Sequence, residues 1–327
     1  MPAAITRRRA LKQTFLYSAA LALGARSSRA RAVDSASGDL HFLMFGDWGY
    51  GMDNKGQRAV AAGMIGYAKA MKLKTEGIFL LGDNFYGSFK GGVNCPRWKT
   101  EFEDMYPASV FPGPCWAMLG NHDYDEEPVD KLNAELAYAS ANPGARWHLP
   151  SKWYRLHWPK VNPVVACLVL DSNYHNRISQ LTPDEKAAQL AWLKAELARP
   201  RTTPWLVCMA HHPLYSNGGH GDNPTLIEEW GPLFQEHGVD FYFCGHDHDL
   251  EHLELATLRT SHVVSGGGGA RVSPVWPSTR GPFAQAIYGF THLQVNREKF
   301  VVRHIDPNQR LLHAFSKTPA GKVEILG

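Results

Sequence analysis

Five short runs of bulky, mostly apolar residues in this chain each stop abruptly at a residue able to bind a metal ion. Leu40–Phe45 runs into Gly46-Asp47-Trp48-Gly49, Gly77–Leu81 into Gly82-Asp83-Asn84-Phe85-Tyr86, and Trp116–Leu119 into Gly120-Asn121-His122-Asp123. Trp205–Ala210 runs into His211-His212-Pro213, and Phe241–Cys244 into Gly245-His246-Asp247-His248. Runs of this length, closed by glycine or a polar turn, predict buried strands. Helical spacing lies between them: Val60, Met64, Ala68 and Met71 predict a helix within 54–74. Thr182-Pro183-Asp184-Glu185 is a capping box with proline at the first helical position, opening a helix through Leu190, Leu193 and Leu197. Another helix is expected over 225–236, and Val164 to Leu170 reads as a further strand. From Leu253 onward the pattern becomes one of successive strands, with Gly266 to Gly269 as a turn and alternation at 300–304. Alternating α and β followed by mostly β predicts an α/β fold of two facing mixed β-sheets flanked by helices.

Open α/β sheets place their ligands just beyond the carboxyl ends of the strands. The five stops would therefore bring Asp47, Asp83, Tyr86, Asn121, His211, His246 and His248 to one crest, a donor set suited to two metal ions. Such ions sit about 3.5–4 Å apart and need one bridging ligand, which a carboxylate supplies best. Asp83 is the candidate bridge, with Asp47 a terminal carboxylate. A lone Asp after a strand is usually a turn residue; five such ends facing one way reverse that expectation. His246 and His248 alternate across Asp247, so both can face the metals only if the chain turns between them.

The N-terminus changes the charge argument. Thr6-Arg7-Arg8-Arg9-Ala10-Leu11-Lys12, an apolar stretch from Phe15 to Ala25, and Ala30-Arg31-Ala32 have the three regions of a signal peptide, with cleavage expected after Ala32. The paired arginines followed by Leu-Lys resemble a bacterial twin-arginine signal, which implies export machinery as a partner and a periplasmic or secreted location. The apolar stretch is shorter than the ~20 residues of a spanning helix, so no stable membrane anchor is expected. Removing its seven basic residues from the 34 in the chain leaves 27 against 31 acidic groups, a formal net charge of −4 instead of +3. The basic balance thus belongs to the signal, and nothing points to nucleic acid. Residues 33–327 are long enough for one large core and show no repeat, so a single domain is expected. Of the five cysteines, Cys167, Cys208 and Cys244 fall inside apolar runs and are expected as buried thiols. Cys95 and Cys115 flank the segment Pro96 to Pro114 and form a candidate disulfide in an exported protein.

Gly-Asp-Trp-Gly, Gly-Asp-Asn-Phe-Tyr, Gly-Asn-His-Asp, Ala-His-His-Pro and Gly-His-Asp-His, taken in order, resemble the five motifs of purple acid phosphatases. The closer resemblance is to the small, mammalian-like type within the calcineurin-like metallophosphoesterases. It runs from about Leu40 to near the C-terminus and implies a four-layer α/β/β/α sandwich. By motif, Asp47, Asp83, Tyr86 and His248 would hold Fe(III), and Asp83 would bridge to a second metal, Fe(II), Zn(II) or Mn(II), held by Asn121, His211 and His246. Hard Fe(III) suits carboxylate and phenolate oxygen, and the softer divalent site takes more imidazole. The implied reaction is hydrolysis of small phosphate monoesters by attack of a metal-bound hydroxide. His122 and His220 match the family's two non-ligand histidines, expected to stabilise phosphate charge and protonate the leaving alkoxide. The alternative is a related metallophosphoesterase acting on phosphodiesters or nucleotides; a metal- or phosphate-binding protein without hydrolysis is a third reading, against which the intact ligand set argues. Asp123, Asp247 and Asp249 are expected to orient ligating histidines, and Asp171 to be structural. Trp48, Phe85, Trp147 and Trp153 are expected as core or pocket walls. His212 departs from the usual aromatic residue, and the loops Ser216–Asn223 and Gly87–Pro96 should border the substrate mouth.

Overall fold

The five apolar runs do form strands. The computed structural model describes residues 38–51, 53–124, 130–173, 181–276 and 280–327, so the expected signal at 1–32 lies outside the described residues. An eight-stranded sheet has the order β15-β14-β13-β12-β1-β2-β3-β4, formed by Val323–Ile325, Leu311–Lys317, Phe300–Ile305, Phe290–Val295, Leu40–Phe45, Gly77–Leu80, Cys115–Ala117 and Trp147–His148. A seven-stranded sheet has the order β11-β9-β10-β8-β7-β6-β5, formed by Phe283–Gln285, Leu250–Leu253, Ser261–Ser265, Phe241–Cys244, Trp205–Met209, Val165–Val169 and Tyr154–Trp158. The first sheet runs parallel from β1 to β4 and antiparallel from β1 through β12 to β15. In the second, β6, β7, β8 and β10 are parallel. Both sheets are therefore mixed, and all five ligand-bearing strands point their carboxyl ends the same way within their own sheet.

Alternation of side chains along the strands sorts the core into layers. From the seven-stranded sheet, Cys167, Val169, Val207, Met209, Phe241, Phe243 and Val263 enter the large core shared with the other sheet. Their neighbours Ala166, Leu168, Leu206, Cys208, Tyr242 and Val264 face the opposite way. There they meet Leu193 and Leu197 of helix Pro183–Leu197, and Leu226, Trp230 and Phe234 of helix Pro224–Glu236. In chain order the helices are α1 (Lys55–Ala70), α2 (Asp130–Ala141), α3 (Pro183–Leu197) and α4 (Pro224–Glu236). α1 buries Val60, Met64 and Tyr67 against the eight-stranded sheet, Tyr67 lying edge-on to Phe290. The result is the four-layer α/β/β/α arrangement that the sequence implied.

The capping box at α3 is present: Thr182 Oγ1 accepts the Glu185 N–H at 3.2 Å and Glu185 Oε2 accepts the Thr182 N–H at 3.0 Å, worth about 1 kcal/mol to the helix. One expectation is corrected. Cys95 and Cys115 are both free and buried. Cys115 sits inside β3, between Ile78 of β2 and Trp147 of β4, with Sγ 3.8 Å from Arg146 Nη1, whereas Cys95 closes a short turn at 92–94. Trp48, Phe85 and Trp147 are core residues, and Trp153 is half-buried.

Candidate metal centre

The strand ends converge because the backbone after each strand is bent to present its side chain. Asp47, Asp83 and His246 have φ of 60°, 49° and 70°, the left-handed region that non-glycine residues rarely occupy. Three such residues at three separate strand ends are strain held in place by the surrounding fold, a feature that concentrates at functional sites. The positive φ of His246 is also the turn that lets His246 and His248 face the same place. Cross-sheet bonds fix the crest: the Gly46 N–H donates to Ser265 O at 2.7 Å, and His211 Nδ1–H donates to Leu81 O at 2.8 Å.

All nine residues selected from the sequence meet there. The Tyr86 hydroxyl lies 3.0 Å from Asp83 Oδ2, 3.3 Å from Asp47 Oδ1 and 3.1 Å from His248 Nε2. His211 Nε2 lies 3.2 Å from Asn121 Oδ1, 3.2 Å from His246 Nδ1 and 3.3 Å from Asp83 Oδ1. Asp83 thus touches both subsets. His122 donates its backbone N–H to Asp83 Oδ1 at 2.8 Å, and its ring lies tilted against that of Tyr86, centroids 4.3 Å apart. The His220 ring lies 4.1 Å from that of His246, and its Nδ1 is 2.8 Å from Asp247 Oδ1. A cavity of about 250 Å³ opens beside the cluster, lined by His212, Pro213, His220, Asp222, Asn223 and His246.

The donor chemistry fits metal ions. His211 and His248 spend their Nδ1–H groups on Leu81 O and Arg271 O, so both Nε2 lone pairs face carboxylate oxygens. Each of these contacts needs a proton or a metal ion between nitrogen and oxygen, so the site is built to hold positive charge. The pKa directions agree. Burial pulls the His211 imidazolium down, yet Asp83 and Asp47 outweigh it and raise it to about 10. Burial, Asp83 and Asp47 together hold the Tyr86 phenol well above its usual range, so its ionisation requires a cation among these oxygens. Donor atoms of Asp47, Asp83 and His248 lie within 4.8 Å of one another, close enough to share an ion, and so do those of His211, His212 and His246.

The calcineurin-like phosphoesterase profile matches residues 37–250. The chain belongs to this family. Among relatives of this phosphoesterase, human tartrate-resistant acid phosphatase type 5 is 34% identical over 252 residues, 72% of this chain and 75% of the relative. Purple acid phosphatase 7 of Arabidopsis thaliana is 28% identical over 295 residues, 86% and 87% of the two chains. In fold, it is similar to a purple acid phosphatase from yellow lupin seeds (TM-score 0.66, 19% identity, 86% of this chain and 54% of that one). It is similar also to GAP50, the anchor in the inner membrane complex of Plasmodium (TM-score 0.72, 22% identity, 85% and 88%).

Several parts of the phosphoesterase site were not read from the sequence. His212 belongs to the cluster: its ring lies 4.2 Å from that of His246 and its Nδ1 is 2.8 Å from Ser172 Oγ. The doublet His211-His212 was the available signal. Gly266–Gly269 is no simple turn; Gly268 N–H donates to Gly46 O at 3.1 Å and Ala270 N–H to Asp47 O at 2.7 Å, so the run floors the first ligand loop. Asp123 ties backbone groups together. It accepts the backbone N–H groups of Asn84 at 2.9 Å, Phe85 at 3.2 Å and Gly120 at 2.8 Å, fixing two ligand loops together. Lys131 of α2, buried, donates to Phe85 O at 2.8 Å and to His122 O. Arg97 braces Tyr86 by donating to its carbonyl at 2.7 Å and to Gly49 O at 2.8 Å. Asp171, by contrast, is structural as expected, accepting from the Tyr124 hydroxyl at 2.5 Å.

Proposed function

We propose that this phosphoesterase is an exported purple acid phosphatase, hydrolysing phosphomonoesters at a dinuclear Fe(III)–M(II) centre in which M is iron, zinc or manganese. Asp47, Asp83, Tyr86 and His248 hold the ferric ion in this reading, and Asn121, His211 and His246 hold the second, with Asp83 shared. The observation that carries it is the Tyr86 hydroxyl enclosed by Asp83, Asp47 and His248 at 3.0 to 3.3 Å. A phenol in that position is a ligand for a hard, highly charged ion. When bound, the two ions supply Lewis acidity toward phosphoryl oxygens and lower the pKa of bound water.

The chain's own groups account for the rest. The cavity of about 250 Å³ receives the ester between His212, His220 and His246. His122, held by its backbone N–H on Asp83, presents its ring beside Tyr86 to stabilise developing charge on phosphate. His220 is tethered through Nδ1 to Asp247, which leaves Nε2 as the atom that hands a proton to the leaving alkoxide.

The visible spectrum of the purified, metal-loaded protein tests the reading. A broad band in the wild type that vanishes in Tyr86→Phe is expected for tyrosinate on Fe(III); a colourless protein with both metals bound sinks the ferric assignment. Residues 1–32 are proposed as the twin-arginine-type signal, leaving 33–327 as the catalytic domain in the periplasm or outside the cell; no described helix is long and apolar enough to cross a membrane. N-terminal sequencing of protein recovered outside the cytoplasm should begin after Ala32, and recovery only of uncleaved cytoplasmic chain would contradict export.

A further inference from the structure

His220 is half exposed, 54% for its side chain, so whatever aims it must stand behind it. Asp247 Oδ1 takes both the ring Nδ1–H at 2.8 Å and the backbone N–H of His220 at 3.0 Å, and Oδ2 takes the Ser216 hydroxyl at 2.5 Å. The same hydroxyl lies 2.8 Å from Oε1 of Glu251, a fully buried residue of β9, and accepts the Gly218 N–H at 2.8 Å. Asn217 N–H points between the two Glu251 oxygens, at 2.8 and 3.0 Å. A hydroxyl carries one proton and cannot donate to two carboxylates at once. The Ser216 hydroxyl therefore accepts at one of these two contacts and donates at the other, tying Asp247 to Glu251 through one shared oxygen. Burial lifts Glu251 above its usual range.

We propose that Glu251 and Ser216 are positioning residues for His220, fixing Asp247 and the backbone of 216–218 so that the imidazole faces the cavity beside the metal centre. The loop leaves little room for another arrangement: a Cβ on Gly218 would lie 2.4 Å from Asp247 Cγ. Its other side is held by Arg280, which donates to Ser216 O and pairs with Asp222 at 2.7 Å, and by Trp276 N–H on Asn217 O at 2.9 Å. The catalytic consequence rests on the role proposed above for His220, while the clamp itself does not.

Two measurements separate them. Hydrogen–deuterium exchange across 214–223 reads the clamp without turnover: Glu251→Ala should lose protection, and Glu251→Gln, whose amide can donate to Ser216 and accept from Asn217, should regain it. Turnover of an alkyl phosphate, whose leaving group needs a proton, should fall about tenfold in kcat in Glu251→Ala with KM little changed and metal content intact. Turnover of p-nitrophenyl phosphate, whose leaving group needs none, should fall about twofold or less, and Glu251→Gln should restore the alkyl ester rate. Ser216→Ala should reproduce the Glu251→Ala pattern in both measurements. Unchanged exchange in Glu251→Ala, equal losses on both esters, or a Gln variant as defective as Ala overturns the assignment. A wild type with no monoesterase activity refutes the proposed function instead, and the exchange result then decides the clamp alone.

Discussion

Asp83→Asn is expected to remove bound metal and phosphatase activity together, while the fold survives. Asp83 is buried among both subsets of the cluster: Oδ1 takes the His122 backbone N–H and faces His211 Nε2, and Oδ2 takes the Tyr86 hydroxyl. An amide keeps the shape but removes one negative charge, and it turns an N–H₂ toward a group that needs an acceptor. Bound metal should fall below two ions per chain. Losing several kcal/mol of charge stabilisation corresponds to a fall of about a thousandfold or more in kcat. In the metal-free protein burial pushes the Asp83 carboxyl up, but His211 outweighs it and holds it well below the usual carboxylate range, so losing this charge should also lower the melting temperature of the apo variant. His122→Ala is the contrast. It keeps every donor of the cluster and should lose about a hundredfold in kcat with metal content intact; loss of a metal from that variant would refute the ligand assignment.

Much of this geometry was legible because two separate patterns coincide at four of the five strand ends. An apolar run of four to six residues can only be a buried strand or a helix fragment, and glycine immediately before Asp47, Asp83, Asn121 and His246 settled which. Parallel strands then bring their carboxyl ends together whatever the intervening sequence. What stayed hidden has no local signature. The left-handed φ of Asp47, Asp83 and His246 is imposed by packing, since nothing in a side chain such as aspartate demands it. Asp123 reads as one more acid in a motif, yet its role of tying Asn84 to Gly120 follows from the spacing between β2 and β3. The cysteine pair was misread because flanking a loop says nothing about which face a thiol occupies; Cys115 lies inside the sheet, its thiol pushed up to about 12 chiefly by burial. Glu251 lies three residues beyond the last motif, and only the approach of Ser216 from another loop gives it a partner.

Gly120→Ala should disable the metal centre as thoroughly as Asp83→Asn, although it alters no ligand. Gly120 has φ −100° and ψ 178°, an extended conformation that alanine adopts freely, so backbone strain is not the reason. Space is. A Cβ there would lie 2.2 Å from both the backbone nitrogen and Oδ1 of Asp83 and 2.8 Å from its Cγ. Something must move by about 1 Å, which in a packed site costs on the order of 1–3 kcal/mol of stability. Displacement of that size at a reacting centre costs about a hundredfold in rate before any metal is lost. Asp83 cannot yield cheaply, because its oxygens are committed to His122, Tyr86 and His211. Gly87→Ala is the matched comparison: its Cβ would meet nothing within 4 Å, but its φ is +66°. It should lose about 1–2 kcal/mol of stability from the left-handed backbone alone and keep both metals and turnover. Metal analysis and kcat on the two variants therefore separate the general cost of replacing a glycine from the particular cost of pushing Asp83. Full activity in Gly120→Ala would mean that β2 and β3 end farther apart than described, and that Asp83 is not held where a bridging carboxylate must stand.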